Sequence, residues 1–78
     1  IANFLDPDAT EAFLYYQDAF NYGSKKAALL LGNFYAEGIG VEKDIGLARY
    51  YYNIAAENNM IEAHEALKAL QEKEGEAP

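Results

Sequence analysis

The chain has 78 residues, a net charge of −7 and no cysteine. The acidic charge argues against binding to nucleic acid, whose phosphates require a basic surface, and against binding to an anionic membrane surface. The lack of cysteine rules out disulfides and thiolate metal sites. The longest apolar run is too short to span a bilayer, so we expect no membrane insertion. About half of the residues are apolar (51%), which is enough for the core of one small domain.

The first helix is predicted over about residues 8–22. Asp8 is placed at its beginning as the N-cap, because its side chain can accept hydrogen bonds from free backbone N–H groups. Small and aromatic residues then recur at three- and four-residue intervals, which places them on one inward face: Ala12, Tyr15, Tyr16, Ala19 and Phe20. Gly23 can adopt the left-handed conformation that ends a helix.

The second helix is predicted over residues 24–37, with Ser24 as its cap. Its inward face carries Ala27, Leu30, Leu31, Phe34 and Tyr35. Gly32 lies in the middle of this helix, where glycine lowers the stability of the helix by about 1 kcal/mol relative to alanine. We expect a close backbone contact with the preceding helix to offset that cost. Gly38 and Gly40 end the helix and allow a tight turn.

The third helix is predicted over residues 45–58 and the fourth over residues 60–73. Asp44 caps the third helix, whose inward face carries Ala48, Tyr51, Tyr52, Ala55 and Ala56. The fourth presents Ala63, Ala66, Leu67 and Leu70, and residues 74–78 form an acidic tail. Asn59 stands after the third helix, where Asn tolerates the left-handed conformation.

The two halves of the chain repeat at one fixed spacing. An offset of 36 residues relates Asp8 to Asp44, Ala12 to Ala48, Tyr15 to Tyr51, Tyr16 to Tyr52, Ala19 to Ala55, Ala27 to Ala63 and Leu31 to Leu67. A period of this length is typical of stacked helical repeats. The predicted fold is therefore all-α, an α/α superhelix of about two repeats and four antiparallel helices.

Residues 27–59 resemble the Sel-one-like repeat (SLR), a solenoid family similar to tetratricopeptide arrays. The family pattern A-x-x-x-L-G-x-x-Y-x-x-G-x-G-V-x-x-D, followed by A-x-x-W/Y-Y-x-x-A-A, is matched almost throughout. The matching positions are Ala27, Leu31, Gly32, Tyr35, Gly38, Gly40, Asp44, Ala48, Tyr52, Ala55 and Ala56, with Asp8 as the counterpart of Asp44.

The resemblance also suggests how the chain is placed in an array. Residues 1–7 resemble the end of an inter-helix loop, so we read them as entering from a preceding or truncated repeat. At the offset of 36 residues, Lys68 occupies the position equivalent to Gly32, and Gln71 occupies the position equivalent to Tyr35. These changes favour a closing segment of a longer array. A mini-array that self-associates through its first helix is the alternative.

Proteins of this family generally serve as adaptors, so the resemblance implies a protein or peptide partner. Two surfaces are candidates for partner binding. One surface is on the second helix, and helices of this type line the inner face of arrays in this family. It consists of Leu30, Asn33 and Glu37, which could form a groove for a peptide. Tyr50 and Ile54 form an aromatic–aliphatic pair one turn apart at positions that are usually polar. This pair is either a chance exposed pair or a surface for a partner or for a homodimer.

No catalytic, cofactor-binding or metal-binding residue is predicted. His64 is the only histidine, and one histidine among surface carboxylates is a poor metal site. The Gly38–Gly40 segment lacks the preceding strand and the further glycine or lysine of a phosphate-binding loop. An enzyme is therefore the disfavoured function class.

Overall fold

A computed structural model describes residues 6–76, and the side chains of residues 6–72. Over residues 6–76 the chain forms α1 (Pro7–Asn21), α2 (Lys25–Glu37), α3 (Ile45–Glu57) and α4 (Ile61–Glu76), without a strand. Each helix packs against the next in the chain, and the short turns between them make neighbours antiparallel. The predicted all-α repeat fold is confirmed. The predicted entry loop and tail lie partly outside the described residues, at 1–5 and 77–78.

The beginning of α1 corrects the predicted N-cap. Asp6, not Asp8, is the cap: its Oδ1 accepts a hydrogen bond from the Asp8 backbone N–H at 3.0 Å. Pro7 occupies the first helical position, where the missing N–H has no intrahelical partner to lose. Asp8 lies in the first turn instead, where a carboxylate is favoured by the helix dipole.

The caps of α2 and α3 lie at the predicted positions. Ser24 Oγ accepts from the Ala27 N–H at 3.2 Å, and Asp44 Oδ1 accepts from the Leu47 N–H at 3.1 Å. After α3, Asn59 adopts a left-handed φ of 66°. The last helix continues through Glu76, so residues 74–76 are helical and not part of a tail.

Alanines allow α2, α3 and α4 to approach closely. One cluster of fully buried residues takes one alanine from each of these helices: Ala28, Ala55 and Ala63. Ala28 was not among the residues predicted for the inward face of α2, yet it is fully buried. A second cluster joins α3 to α4 through Ala48, Tyr52 and Leu70. Small side chains at these crossings leave the larger rings to fill the space beside them.

The loop from Gly38 to Asp44 joins α2 to α3 and is held against α2 and α1. The Gly38 N–H bonds to the Phe34 carbonyl at 2.8 Å, and the Asp44 N–H to the Tyr35 carbonyl at 2.9 Å. Gly40 is buried, has a φ of +70° and lies directly against the Ala9 carbonyl group of α1. The loop therefore packs against the first turn of α1 as well as against the end of α2.

None of the helices within residues 6–76 is long and apolar enough to cross a membrane.

Candidate protein-binding surfaces

Aromatic rings link α1, α2 and α3. Phe13 packs edge-on against Tyr35 with ring centroids 5.5 Å apart, and Tyr35 stacks in parallel on Tyr51 at 5.7 Å. Phe20 also packs edge-on against Tyr51, with ring centroids 5.3 Å apart. Offset and edge-on ring pairs each add about 0.5–1.5 kcal/mol beyond the area that they bury. These contacts hold the three helices in a rigid relative arrangement.

The orientation of α1 differs from the prediction. Phe13, which was not assigned to the core, is buried, whereas Tyr15, which was assigned to it, is 68% exposed. Because α2 packs on the Phe13 side of α1, Tyr15 lies at the edge of the α1–α2 contact and not inside it. The spacing of Phe13, Tyr16 and Phe20 at three and four residues is a sequence signal that could have identified this face.

Gly32 makes room for the ring of Tyr52. A Cβ at position 32 would lie 2.5 Å from Tyr52 Cδ1 and 2.6 Å from Tyr52 Cε1. The close contact predicted for Gly32 is therefore with α3, the following helix, and is made by a side chain. It does not involve the backbone of α1.

Asn33, a predicted partner-binding residue, makes a hydrogen bond within the protein. Its Oδ1 accepts a hydrogen bond from the Tyr52 hydroxyl group. Burial of the phenol, with a smaller contribution from the negative charge of Glu37, raises the pKa of Tyr52 to about 12. The Asn33 amide oxygen thus helps to fix the Tyr52 ring, which is 4% exposed.

We expect the stability of the fold to decrease as pH rises from about 10 to 12. In that window the unfolded chain releases the Tyr52 proton while the folded chain retains it, so ionisation favours unfolding. A shift of this size corresponds to a loss of about 2–3 kcal/mol. Urea unfolding at several pH values measures it. In Tyr52→Phe the decrease should be smaller; the same slope in both proteins would contradict this assignment.

Leu30 lies in a groove between α1 and α2, as a half-buried residue. The groove has a volume of about 240 Å³ and is lined by Tyr15, Tyr16, Ala19, Ser24, Lys26, Ala27 and Leu30. It combines two phenol rings, aliphatic surface and one ammonium group. The groove is open to solvent.

Glu37 lies at a different cleft. It is exposed at the edge of a space of about 160 Å³ between α2 and α4, which is also lined by Ala36, Tyr52, Ala66, Ala69 and Leu70. Leu30, Asn33 and Glu37 therefore do not form one continuous groove. Leu30 faces α1, Asn33 binds Tyr52, and Glu37 borders α4.

The predicted Tyr50–Ile54 pair is corrected in part. Tyr50 is 56% exposed, with its ring edge-on to Tyr51 at 5.1 Å. Ile54 instead is half-buried and packs against the Ala28–Ala55–Ala63 cluster. The exposed neighbour of Tyr50 is Leu47, three residues earlier and 38% exposed. That spacing was visible in the sequence, as another pair of apolar residues one turn apart.

The two halves match a known family model. The Sel1 repeat model matches residues 3–21 and 25–60, which is more than half of the chain. The chain belongs to the Sel1 repeat family. Sel1 repeats generally mediate protein–protein interactions. The chain matches no curated protein and no solved structure.

Sel1 repeats are in general not catalytic. His64 is exposed on α4. Among the described residues, no group of three or more histidine, aspartate or glutamate side chains could hold a metal ion.

Proposed function

We propose that this Sel1 repeat chain is a non-catalytic module that binds a protein segment in the α1–α2 groove around Leu30. The observation that carries the proposal is the aromatic–aliphatic surface of this groove, formed by the exposed Tyr15 and the half-buried Tyr16 and Leu30. Tyrosine is enriched among residues that dominate binding energy at protein interfaces. The ring contacts that join α1 to α2 keep the groove open in the free protein, which lowers the entropic cost of binding.

A peptide library selected on the wild-type chain tests the proposal. We expect the selected peptides to bind Leu30→Glu at least about ten-fold more weakly, because a carboxylate replaces the apolar floor of the groove. Ile61→Glu is the matched control, since it introduces the same charge at an exposed aliphatic residue of α4. Its affinity should stay within about two-fold of the wild type.

Two results would contradict the assignment. One is a library that yields no binding peptide, and the other is a set of peptides that Leu30→Glu and Ile61→Glu bind equally well. Thermal unfolding of both variants, followed by circular dichroism, shows whether each is folded. If Leu30→Glu does not fold, Leu30→Ser, with its smaller polar side chain, takes its place in the comparison.

A second candidate function is self-association through Leu47 and Tyr50. These residues are exposed one turn apart on α3, and Tyr50 was already a predicted interaction residue. Sedimentation equilibrium of wild type and Tyr50→Glu distinguishes this candidate from a monomeric module. Ile54 is left unchanged in that experiment because it packs against the core.

We further propose that α4 closes the helical stack. Lys68 is exposed at the repeat position of Gly32, and Gln71 is exposed at the repeat position of Tyr35. The ring of a tyrosine equivalent to Tyr52 could not lie against the helix at a lysine as it does at Gly32. The exposed polar side chains are those expected on the outer face of a terminal repeat.

A further inference from the structure

The outer face of α1 carries a row of acidic and large apolar side chains. Successive members are one to four residues apart and share one side of the helix. They are Asp8, Glu11, Leu14, Tyr15, Asp18 and Tyr22, with Tyr22 at the C-cap. We call this set the acidic–aromatic row. All six side chains are exposed.

The apolar members of the row are exposed to an unusual degree for their size. Leu14 is 52% exposed, Tyr15 68% and Tyr22 92%. The opposite side of α1, through Phe13 and Phe20, makes the ring contacts with α2 and α3. Large apolar side chains collected on one helix face, as here, are typical of interaction surfaces.

The charge of the row has one sign. Asp8, Glu11 and Asp18 contribute three carboxylates, and α1 contains no lysine, arginine or histidine. No cation within α1 therefore offsets these charges. The net charge of −7 acts in the same direction at longer range.

Two of the three carboxylates are specific to α1 and are not a property of the repeat, whereas Asp8 has an acidic counterpart in Asp44. At the offset of 36 residues, Leu47 replaces Glu11 and Ile54 replaces Asp18 in α3. Since the two helices share their inward Ala and Tyr positions, the carboxylates are not required by the helix–helix packing. They distinguish the surface of α1 from that of α3.

We propose that the acidic–aromatic row binds a basic amphipathic helix. Lysine and arginine side chains of the partner would pair with Glu11 and Asp18, while its apolar side chains pack on Leu14 and Tyr15. The exposed Tyr22 ring offers a further apolar contact at the C-terminal end of the row. The partner is thus a helix whose apolar stripe is flanked by basic residues, in the manner of helix-in-groove recognition.

This surface is separate from the Leu30 groove except for Tyr15, which borders both. Lys25 and Lys26 lie at the beginning of α2, beyond the C-terminal end of the row. The basic side chains of the partner should therefore concentrate over Glu11 and not over the end nearest to α2. Leu30→Glu tests the proposed function alone, because it leaves the carboxylates of the row intact.

Three designed helical peptides of about 18 residues test the inference by fluorescence anisotropy with the full 78-residue chain. They share one leucine stripe and carry lysine, glutamine or glutamate beside it. We expect the lysine peptide to bind at least about ten-fold more tightly than the glutamine peptide, and the glutamate peptide to bind weakest. Raising the salt concentration from about 50 to 300 mM should weaken the binding of the lysine peptide most.

The variant Glu11→Gln/Asp18→Asn removes two charges from the row with almost no change in shape. We expect it to bind the lysine peptide about ten-fold more weakly than wild type. Its matched control is Glu62→Gln/Glu65→Gln, which removes two exposed charges from α4 and should change affinity less than about two-fold. Chemical-shift changes should map to Leu14, Tyr15 and Tyr22.

Three outcomes would overturn the inference. The glutamine peptide could bind as tightly as the lysine peptide, which would show that charge plays no part. The control on α4 could weaken binding as much as the variant on α1, which would show that only net charge matters. Finally, sedimentation could show a dimer closed through the row that the lysine peptide does not dissociate, which would make a second copy the occupant.

Discussion

Gly40→Ala is expected to lower the free energy of unfolding by about 3–5 kcal/mol. Two costs combine at this position. The φ of +70° strains any residue that has a Cβ, and the added Cβ would lie 2.6 Å from the Ala9 carbonyl carbon and 3.0 Å from the Thr10 backbone nitrogen. Because these atoms belong to the backbone of α1, the helix itself must move. The loss is a large part of the stability of a small domain.

Gly23→Ala is the matched control for backbone strain. Its φ of +104° is also in the glycine region, but a Cβ there meets no atom within 4 Å. We expect a loss of about 1–3 kcal/mol, from conformational strain alone. Urea unfolding monitored by circular dichroism gives both values. Equal losses in the two variants would mean that the contact of Gly40 with α1 contributes nothing to stability.

The second large effect is expected at Gly32, where Gly32→Leu should lose about 3 kcal/mol through overpacking. Even the first carbon of the new side chain would overlap the Tyr52 ring at 2.5 Å. The ring cannot easily move aside, because it is buried and its hydroxyl group donates to Asn33. The gain of about 1 kcal/mol from replacing a helical glycine does not offset this overlap.

A double-mutant cycle separates the overlap from other effects of the substitution. Tyr52→Ala removes the ring, so Gly32→Ala should cost less in that background than in the wild type. Gly46→Ala is the control at a helical glycine with a milder contact, since its Cβ would lie 3.3 Å from a single side-chain atom, the capping Oδ1 of Asp44. We expect it to be nearly neutral. Additive losses in the cycle would show that Gly32 and Tyr52 are not coupled.

The local features of the fold could be predicted because they depend on residues close in sequence. Ser24 and Asp44 cap their helices through hydrogen bonds to an N–H three residues later. The error at the first helix also has a local cause. Asp6 and Asp8 are both suitable caps, and the signal that separates them is Pro7, which favours the first helical position.

The candidate surfaces were predicted less well, because exposure depends on which helices are adjacent. Tyr15 and Tyr51 are equivalent by the repeat, yet Tyr51 packs between Phe20 and Tyr35 while Tyr15 is 68% exposed. The repeat pattern by itself predicts the same burial for both positions. Within residues 6–76, α3 packs on both α2 and α4, whereas α1 packs on α2.

The sequence by itself determined four helices, their approximate bounds and the repeat family, since caps, helix breakers and the 36-residue offset are carried by the residues themselves. Only the tertiary structure decided that Asn33 is bound to Tyr52, that Ile54 packs against the core and that Leu14, Tyr15 and Tyr22 are exposed. A helical period defines which residues share a face. Which faces are covered is decided by the positions of the neighbouring helices.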